Sequence, residues 1–209
     1  MPDSSIALVV VDVQVDFCPG GALPIPHGDK VVRPINTLLC TADAHNRLIV
    51  LTRDWHPQTS AHFATNGGVW PPHCIAGSDG ARFHPDLRLP SPANIVSKGG
   101  VQPGEDGYSG FDGLDGNRRS LLDILKAHST ESVLVCGLAT DYCVLATVLD
   151  AIRSGFAAIV VLDATAPVNL RTTDGTEAED RMRAAGAYVV STEEAQRLLM
   201  KVPSSQPSD

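Results

Sequence analysis

Six short apolar runs, each separated from the next by a polar or helical stretch, restrict this chain more than any other feature. They are IALVVVDV (6–13), RLIVLTRD (47–54), NIVSK (94–98), SVLVCGL (132–138), AAIVVLD (157–163) and AYVV (187–190). Several are apolar at consecutive positions rather than alternate ones, so both faces of the strand must be covered. Between most of them lie segments with helical spacing: Lys30–Asn46, Asn117–His128, Tyr142–Ser154, Thr176–Ala185 and Thr192–Met200. The last has Glu193 and Glu194 in its first turn, and Thr192 is read as the start of an imperfect capping motif. Strands alternating with helices predict an α/β fold. The expected architecture is a Rossmann-like three-layer α/β/α sandwich around a mostly parallel six-stranded sheet, in one domain over residues 1–201. The tail VPSSQPSD (202–209) is expected to be disordered.

Two stretches interrupt the alternation. Residues 55–93 are rich in Pro, His and Gly, and residues 99–116 in Gly and Asp. Loops this long in a compact domain usually carry function.

The composition excludes several classes of partner. A net charge of −8 with no Lys/Arg run argues against a nucleic-acid surface. No apolar run approaches the roughly 18 residues of a membrane helix. The start MPDSSIALVVVDV lacks the basic region of a secretion signal, which leads to the expectation of a cytoplasmic protein. Five cysteines at 18, 40, 74, 136 and 143 form no CxxC pair and read as free thiols. The oligomeric state is left open, a homo-oligomer included.

In an open parallel sheet, ligands bind beyond the carboxyl ends of the strands. The first run ends at Asp12, the second at Asp54 followed by Trp55 and His56, the third at Lys98, and the fourth at Leu138 with Cys143 just beyond. Two acids, a histidine, a lysine and a cysteine therefore converge on one edge of the sheet. Cys143 falls where a strand turns into a helix. A helix N-terminus, capped here by Thr140 or Asp141, lowers a thiol pKa and offers free amides to an oxyanion. The competing reading is a small core residue, which suits Cys136. Asp12 beside Cys143 could exchange the thiol proton, and Lys98 could keep Asp12 ionised. Asp54 and His56 are two apart and share a face in extended chain; with His73 they make one carboxylate and two imidazoles, a set that leaves coordination positions open. Taken singly, Asp12, Lys98 and His73 each have an ordinary surface or turn explanation. His27, His45, His62, His84 and His128 are left as such, His62 with the least assurance because it lies near the proposed site.

With these residues in hand, the chain resembles the nicotinamidase branch of the isochorismatase-like cysteine hydrolases. The resemblance runs from Ile6 to about Val190, through VVDVQVDFCPGGALP, TRDWHP…SAHF, VWPPHC, SKG, YSGF and CGLATDYCV in that order. It implies a triad of Asp12, Lys98 and Cys143 and one divalent metal, zinc first and iron or manganese next, on Asp54, His56 and His73. It implies a cis peptide and oxyanion site at Leu138–Ala139 with the Cys143 amide, and aromatic substrate walls at Phe17, Trp70 and Tyr108. The implied reaction is deamidation of nicotinamide to nicotinate and ammonia through a cysteine thioester, in NAD salvage, with pyrazinamide as a second substrate. Val15 stands where the family commonly has Asn. Three rival readings are an amidase of N-carbamoyl or ureido compounds, a facial triad for iron and dioxygen, and a non-catalytic binding module. The first lacks a use for the metal trio, the second for Asp12, Lys98 and Cys143, and the third for the whole nucleophile constellation.

Overall fold

The structure, a computed structural model, describes residues 5–100 and 107–201. The expected tail 202–209 and part of the Gly/Asp-rich loop lie outside the described residues. The strands are β1 (Ile6–Val11), β2 (Ile49–Asp54), β3 (Asn94–Lys98), β4 (Ser132–Leu138), β5 (Ala157–Ala166) and β6 (Tyr188–Val190). The α-helices are α1 (Val32–Ala44), α2 (Leu121–Ala127), α3 (Leu145–Arg153), α4 (Asp174–Ala184) and α5 (Thr192–Met200). All six strands form one sheet in the order β3-β2-β1-β4-β5-β6, and every pairing is parallel.

The continuous apolar runs have their explanation in the two sides of this sheet. In β1, Ile6, Leu8 and Val10 join one apolar cluster while Ala7, Val9 and Val11 join the other. The first cluster takes Ile35, Leu38 and Leu39 from α1 and Ala195 and Leu199 from α5. The second takes Leu121, Ile124 and Leu125 from α2, Val148 and Ala151 from α3, and Ala178 and Met182 from α4. Each fully buried Val, Leu or Ile contributes about 1.5–3 kcal/mol relative to exposure, so a one-residue slip of β1 would be opposed on both faces. Among the described residues, no helix is long and apolar enough to cross a membrane.

Some boundaries differ from the sequence reading. α5 is capped one residue earlier than expected: Ser191 accepts from Glu194 N, and the Glu194 side chain accepts from Ser191 N, a reciprocal capping box. α2 starts later than Asn117, because Ser120 and Asp123 form the same kind of box at its head. β1 stops at Val11, since Asp12 turns into the left-handed region at φ +49°.

The strand order reverses at β1. β2 and β3 lie to one side, and β4, β5 and β6 to the other. The carboxyl ends of β1 and β4 are thus neighbours at the switch point where open α/β sheets place their ligands. Their ends also touch closely. Gly137 pairs with Val11 at φ +116°, and a Cβ there would lie 2.0 Å from the Val11 carbonyl. Only glycine allows β4 to run this close to the residue that precedes Asp12.

Candidate active site

The structure brings Asp12, Lys98 and Cys143 together at the switch point. Asp12 is wholly buried, Lys98 is 3% exposed and Cys143 6% exposed. Lys98 Nζ lies 2.9 Å from Asp12 Oδ2 and donates to Cys143 Sγ at 3.5 Å. It also donates to Asp54 Oδ1. One ammonium therefore links the thiol to both carboxylates. Thr52 fixes the remaining freedom of Asp12: its hydroxyl donates to Asp12 Oδ1 at 2.7 Å, and its carbonyl accepts from Asp12 N at 3.2 Å.

The two acids are driven apart electrostatically. Burial raises the Asp12 carboxyl above its usual range, Lys98 opposes this, and Asp54 adds to it. For Asp54, burial is outweighed by Lys98 together with His56, and its carboxyl is held well below the usual range. Burial by itself would lower the Lys98 ammonium, but the Asp12 and Asp54 carboxylates more than offset it and keep the group protonated. Two neighbouring carboxyls with opposed shifts are the pattern of a proton acceptor beside a permanently ionised ligand.

The environment of Cys143 differs from the sequence expectation. Cys143 lies inside a π-helical turn, Thr140–Val144, that precedes α3. Neither expected side chain caps it. Thr140 donates to Thr165 Oγ1, and Asp141 accepts from Val168 N and Asn169 N. Nor is the thiol acidified: burial pushes it well above its ordinary value, with Lys98 opposing and Asp12 and Asp54 reinforcing the rise. A thiol that is neutral at rest needs an adjacent acceptor to become a nucleophile, and Asp12 is that neighbour. The Leu138–Ala139 peptide just before this turn is cis.

Asp54, His56 and His73 form a second cluster. One ligand atom from each lies within 4.8 Å of the others, and all three residues are buried. The loop carrying His73 docks on the chain after β2: His56 N donates to the Cys74 carbonyl at 3.0 Å, and Ala76 N to the His56 carbonyl at 2.8 Å. Gln14 clamps Asp54 from the other side, accepting from Asp54 N at 2.7 Å and donating to its carbonyl at 2.8 Å.

The donor chemistry fits a cation. His73 Nδ1 donates to the Pro71 carbonyl at 2.7 Å, which leaves Nε2 with its lone pair, the tautomer a metal ligand adopts. Burial lowers the His73 pKa against the opposing effect of the Pro71 hydrogen bond, and this favours the neutral ring. Among the described residues, His56 has no hydrogen-bond partner at either ring nitrogen although it is 2% exposed; Nε2 stands 3.5 Å from Asp54 Oδ2. A buried imidazole whose ring nitrogens lack hydrogen bonds is costly unless something else satisfies them. Gly99 makes room for that ring: at φ +85°, its Cβ would lie 2.4 Å from His56 Nδ1.

Members of both clusters line one pocket, with Asp12 and His56 set behind them. Lys98, Cys143, Ala139, Asp54 and His73 line its polar side. Phe17, Trp70 and Tyr108 are all present in its walls, as are Leu23, Ile25 and Val168. Sequence reasoning missed Tyr142, whose ring stands 5.2 Å from Trp70 and 5.4 Å from Tyr108. Its position directly before Cys143 was the available signal. Trp70 Nε1 donates to the Tyr108 hydroxyl at 3.0 Å. His62, set aside above, also lines the pocket, with its ring 5.3 Å from that of His56. A wider groove over α1, lined by Arg33, Asn36 and Arg88, contains none of these groups.

The isochorismatase domain family matches residues 6–194. The chain belongs to the isochorismatase family. Within it, the chain is 40% identical to a nicotinamidase/pyrazinamidase of Mycobacterium tuberculosis, over 88% of this chain and 97% of that protein. It is 39% identical to a nicotinamidase of Escherichia coli, over 87% of this chain and 92% of that protein. The crystal structure of a pyrazinamidase of Pyrococcus horikoshii in complex with zinc superposes with a TM-score of 0.81 at 40% identity, covering 90% of this chain and 99% of that one. The isochorismatase fold of this chain thus has close counterparts along nearly its whole length.

Proposed function

We propose that this protein is a nicotinamidase, hydrolysing nicotinamide to nicotinate and ammonia and accepting pyrazinamide as well. The observation that carries the reading is the meeting of the Cys143, Asp12 and Lys98 group with the Asp54–His56–His73 cluster at one aromatic-walled pocket, which Cys143, Lys98, Asp54 and His73 line directly. The similarity to nicotinamidases over most of the chain supports it.

In this reading Asp12 takes the thiol proton, and Sγ attacks the carboxamide carbon. Lys98 stays charged throughout and holds the carboxylate in place. The oxyanion develops beside Ala139 and the amide of Cys143. Asp12 returns the proton to the nitrogen, ammonia departs, and a thioester remains. Asp12 then accepts a proton from water as it attacks the thioester, nicotinate leaves, and the thiol is restored. Phe17, Trp70, Tyr108 and Tyr142 pack against the ring and keep bulk water away from the thioester. Asp54, His56 and His73 would hold a divalent ion, which would supply a Lewis-acid position for a ring nitrogen of the substrate. The donor set of one oxygen and two nitrogens suits zinc, and also iron or manganese. The zinc bound by the Pyrococcus horikoshii pyrazinamidase supports zinc first. Pyrazinamide has a ring nitrogen in the same relation to its carboxamide, which is why it enters the same reading.

Ammonia release from nicotinamide, pyrazinamide, benzamide and an N-carbamoyl compound, before and after chelation, tests this. Nicotinamide and pyrazinamide should be turned over well. Benzamide lacks the ring nitrogen, so it should be poor and less sensitive to chelation. Equal turnover of nicotinamide and benzamide, or none of either, would refute the proposal.

A further inference from the structure

One wall of the pocket is held by groups that neither the triad nor the metal-ligand cluster explains. Val168 lines the pocket but belongs to the irregular segment between β5 and α4, residues 167–173. A segment without a ladder must find partners for its amides elsewhere. Here two successive amides find one carboxylate: Val168 N donates to Asp141 Oδ1 at 2.8 Å and Asn169 N to Oδ2 at 2.9 Å. Asn169 adopts φ +54°, and paired backbone N–H groups of this kind form a concavity for an anion. The far end is tied as well, since Asn169 Oδ1 accepts from Gly175 N at 2.8 Å and Arg171 pairs with Asp174 and Glu177 on α4. Apolar contact contributes through Val168, which packs against the core, while Leu170 is 69% exposed. Asp141 itself stands two residues before Cys143 in the same π turn.

We propose that Asp141 is a positioning residue that sets the width of the substrate slot. Its carboxylate ties the Val168 wall directly to the turn carrying Cys143, so its loss should change the gap between sulfur and wall. That gap selects small planar amides. The inference rests on the amide-hydrolase reading above. Asparagine cannot replace Asp141: with one oxygen exchanged for NH₂, a donor would face a backbone donor. The charge that strengthens both bonds is lost too.

The test compares wild type, Asp141→Asn and Val168→Ala. Val168→Ala trims the wall and leaves the pin intact, so it keeps the question open to refutation if Asp141→Asn folds poorly. Four quantities are measured: kcat and KM for nicotinamide, kcat/KM for a series of singly methyl-substituted nicotinamides, iodoacetamide alkylation of Cys143 followed by mass spectrometry, and hydrogen exchange at the Val168 and Asn169 amides. In Asp141→Asn, exchange at both amides should quicken and KM should rise more than kcat falls, while Cys143 is alkylated at the wild-type rate. In both variants at least one methylated amide should gain on nicotinamide by on the order of tenfold, the worth of one methylene's fit in an apolar pocket. Unchanged ratios in both variants would overturn the inference. So would a fall in kcat with slowed alkylation and no change in ratios, which would assign Asp141 to the nucleophile's turn. Unchanged exchange in Asp141→Asn would remove the pin and leave the hydrolase reading standing. A wild type that releases no ammonia from any of these amides would remove both.

Discussion

Thr52→Val isolates the contribution of a single hydroxyl to the proposed proton acceptor. Thr52 and Asp12 are both fully buried, and the bond between them is 2.7 Å long. Valine keeps the shape and removes only the donor. A hydrogen bond to a charged group is worth about 1.5–3 kcal/mol, and one pKa unit corresponds to about 1.4 kcal/mol. The ionised form of Asp12 should therefore lose about that much, moving its already raised pKa further upward. In the proposed mechanism the carboxylate form is the active one. The acidic limb of kcat/KM against pH should shift upward by the same amount.

Stability should follow with a definite sign. Asp12 is raised by burial, so the folded protein holds its proton at a pH where the unfolded chain has lost it. Ionised Asp12 therefore costs stability near neutral pH; the cost shrinks as pH falls below the folded value and is gone below the unfolded one. Removing Thr52's hydroxyl enlarges that cost. The stability difference between Thr52→Val and wild type should be largest at neutral pH and shrink in acid. Ammonia release across pH and urea unfolding at two pH values measure both effects. Thr52→Ser, which keeps the donor, should retain the wild-type pH profile. A Thr52→Val profile that superposes on wild type would refute the reasoning.

Three further outcomes follow from the same geometry. Cys143→Ala should abolish turnover while circular dichroism stays unchanged, and full activity in this variant would end the thioester mechanism; in wild type, iodoacetamide should label Cys143 before the fully enclosed Cys136. Asp12→Asn and Lys98→Ala should each be severe and the double variant little worse, because one ammonium serves both carboxylate and thiol; independent, multiplicative losses would count against a shared role. Gly99→Ala should lower the metal content of the purified protein and raise KM for nicotinamide, since its Cβ would meet His56 and its φ is +85°; unchanged metal content by elemental analysis would show that the His56 cradle has slack.

The sheet was legible in the sequence because it rests on local pattern. Uninterrupted runs such as Ala7–Val11 can be buried only between two layers, and the helical stretches between them supply those layers. Asp12, Asp54, Lys98 and Cys143 were legible for a related reason, since each stands at or just past a strand's end and parallel strands bring such ends to one edge. The metal-ligand candidates needed one step more. Asp54 and His56 share a face by spacing alone, whereas His73 joins them only because its loop bonds to the His56 backbone. What the linear chain could not show depends on partners far apart in sequence. Gln14 grips Asp54, Thr52 orients Asp12, and Asp141 holds Val168 through contacts that no periodicity marks. The state of the thiol also belongs to the tertiary structure. A helix start next to a cysteine reads as acidifying, but burial with two carboxylates nearby reverses the sign. Strand and helix follow from short-range sterics and the solvent, while a side chain's charge depends on everything packed around it, which exists only once the chain has closed.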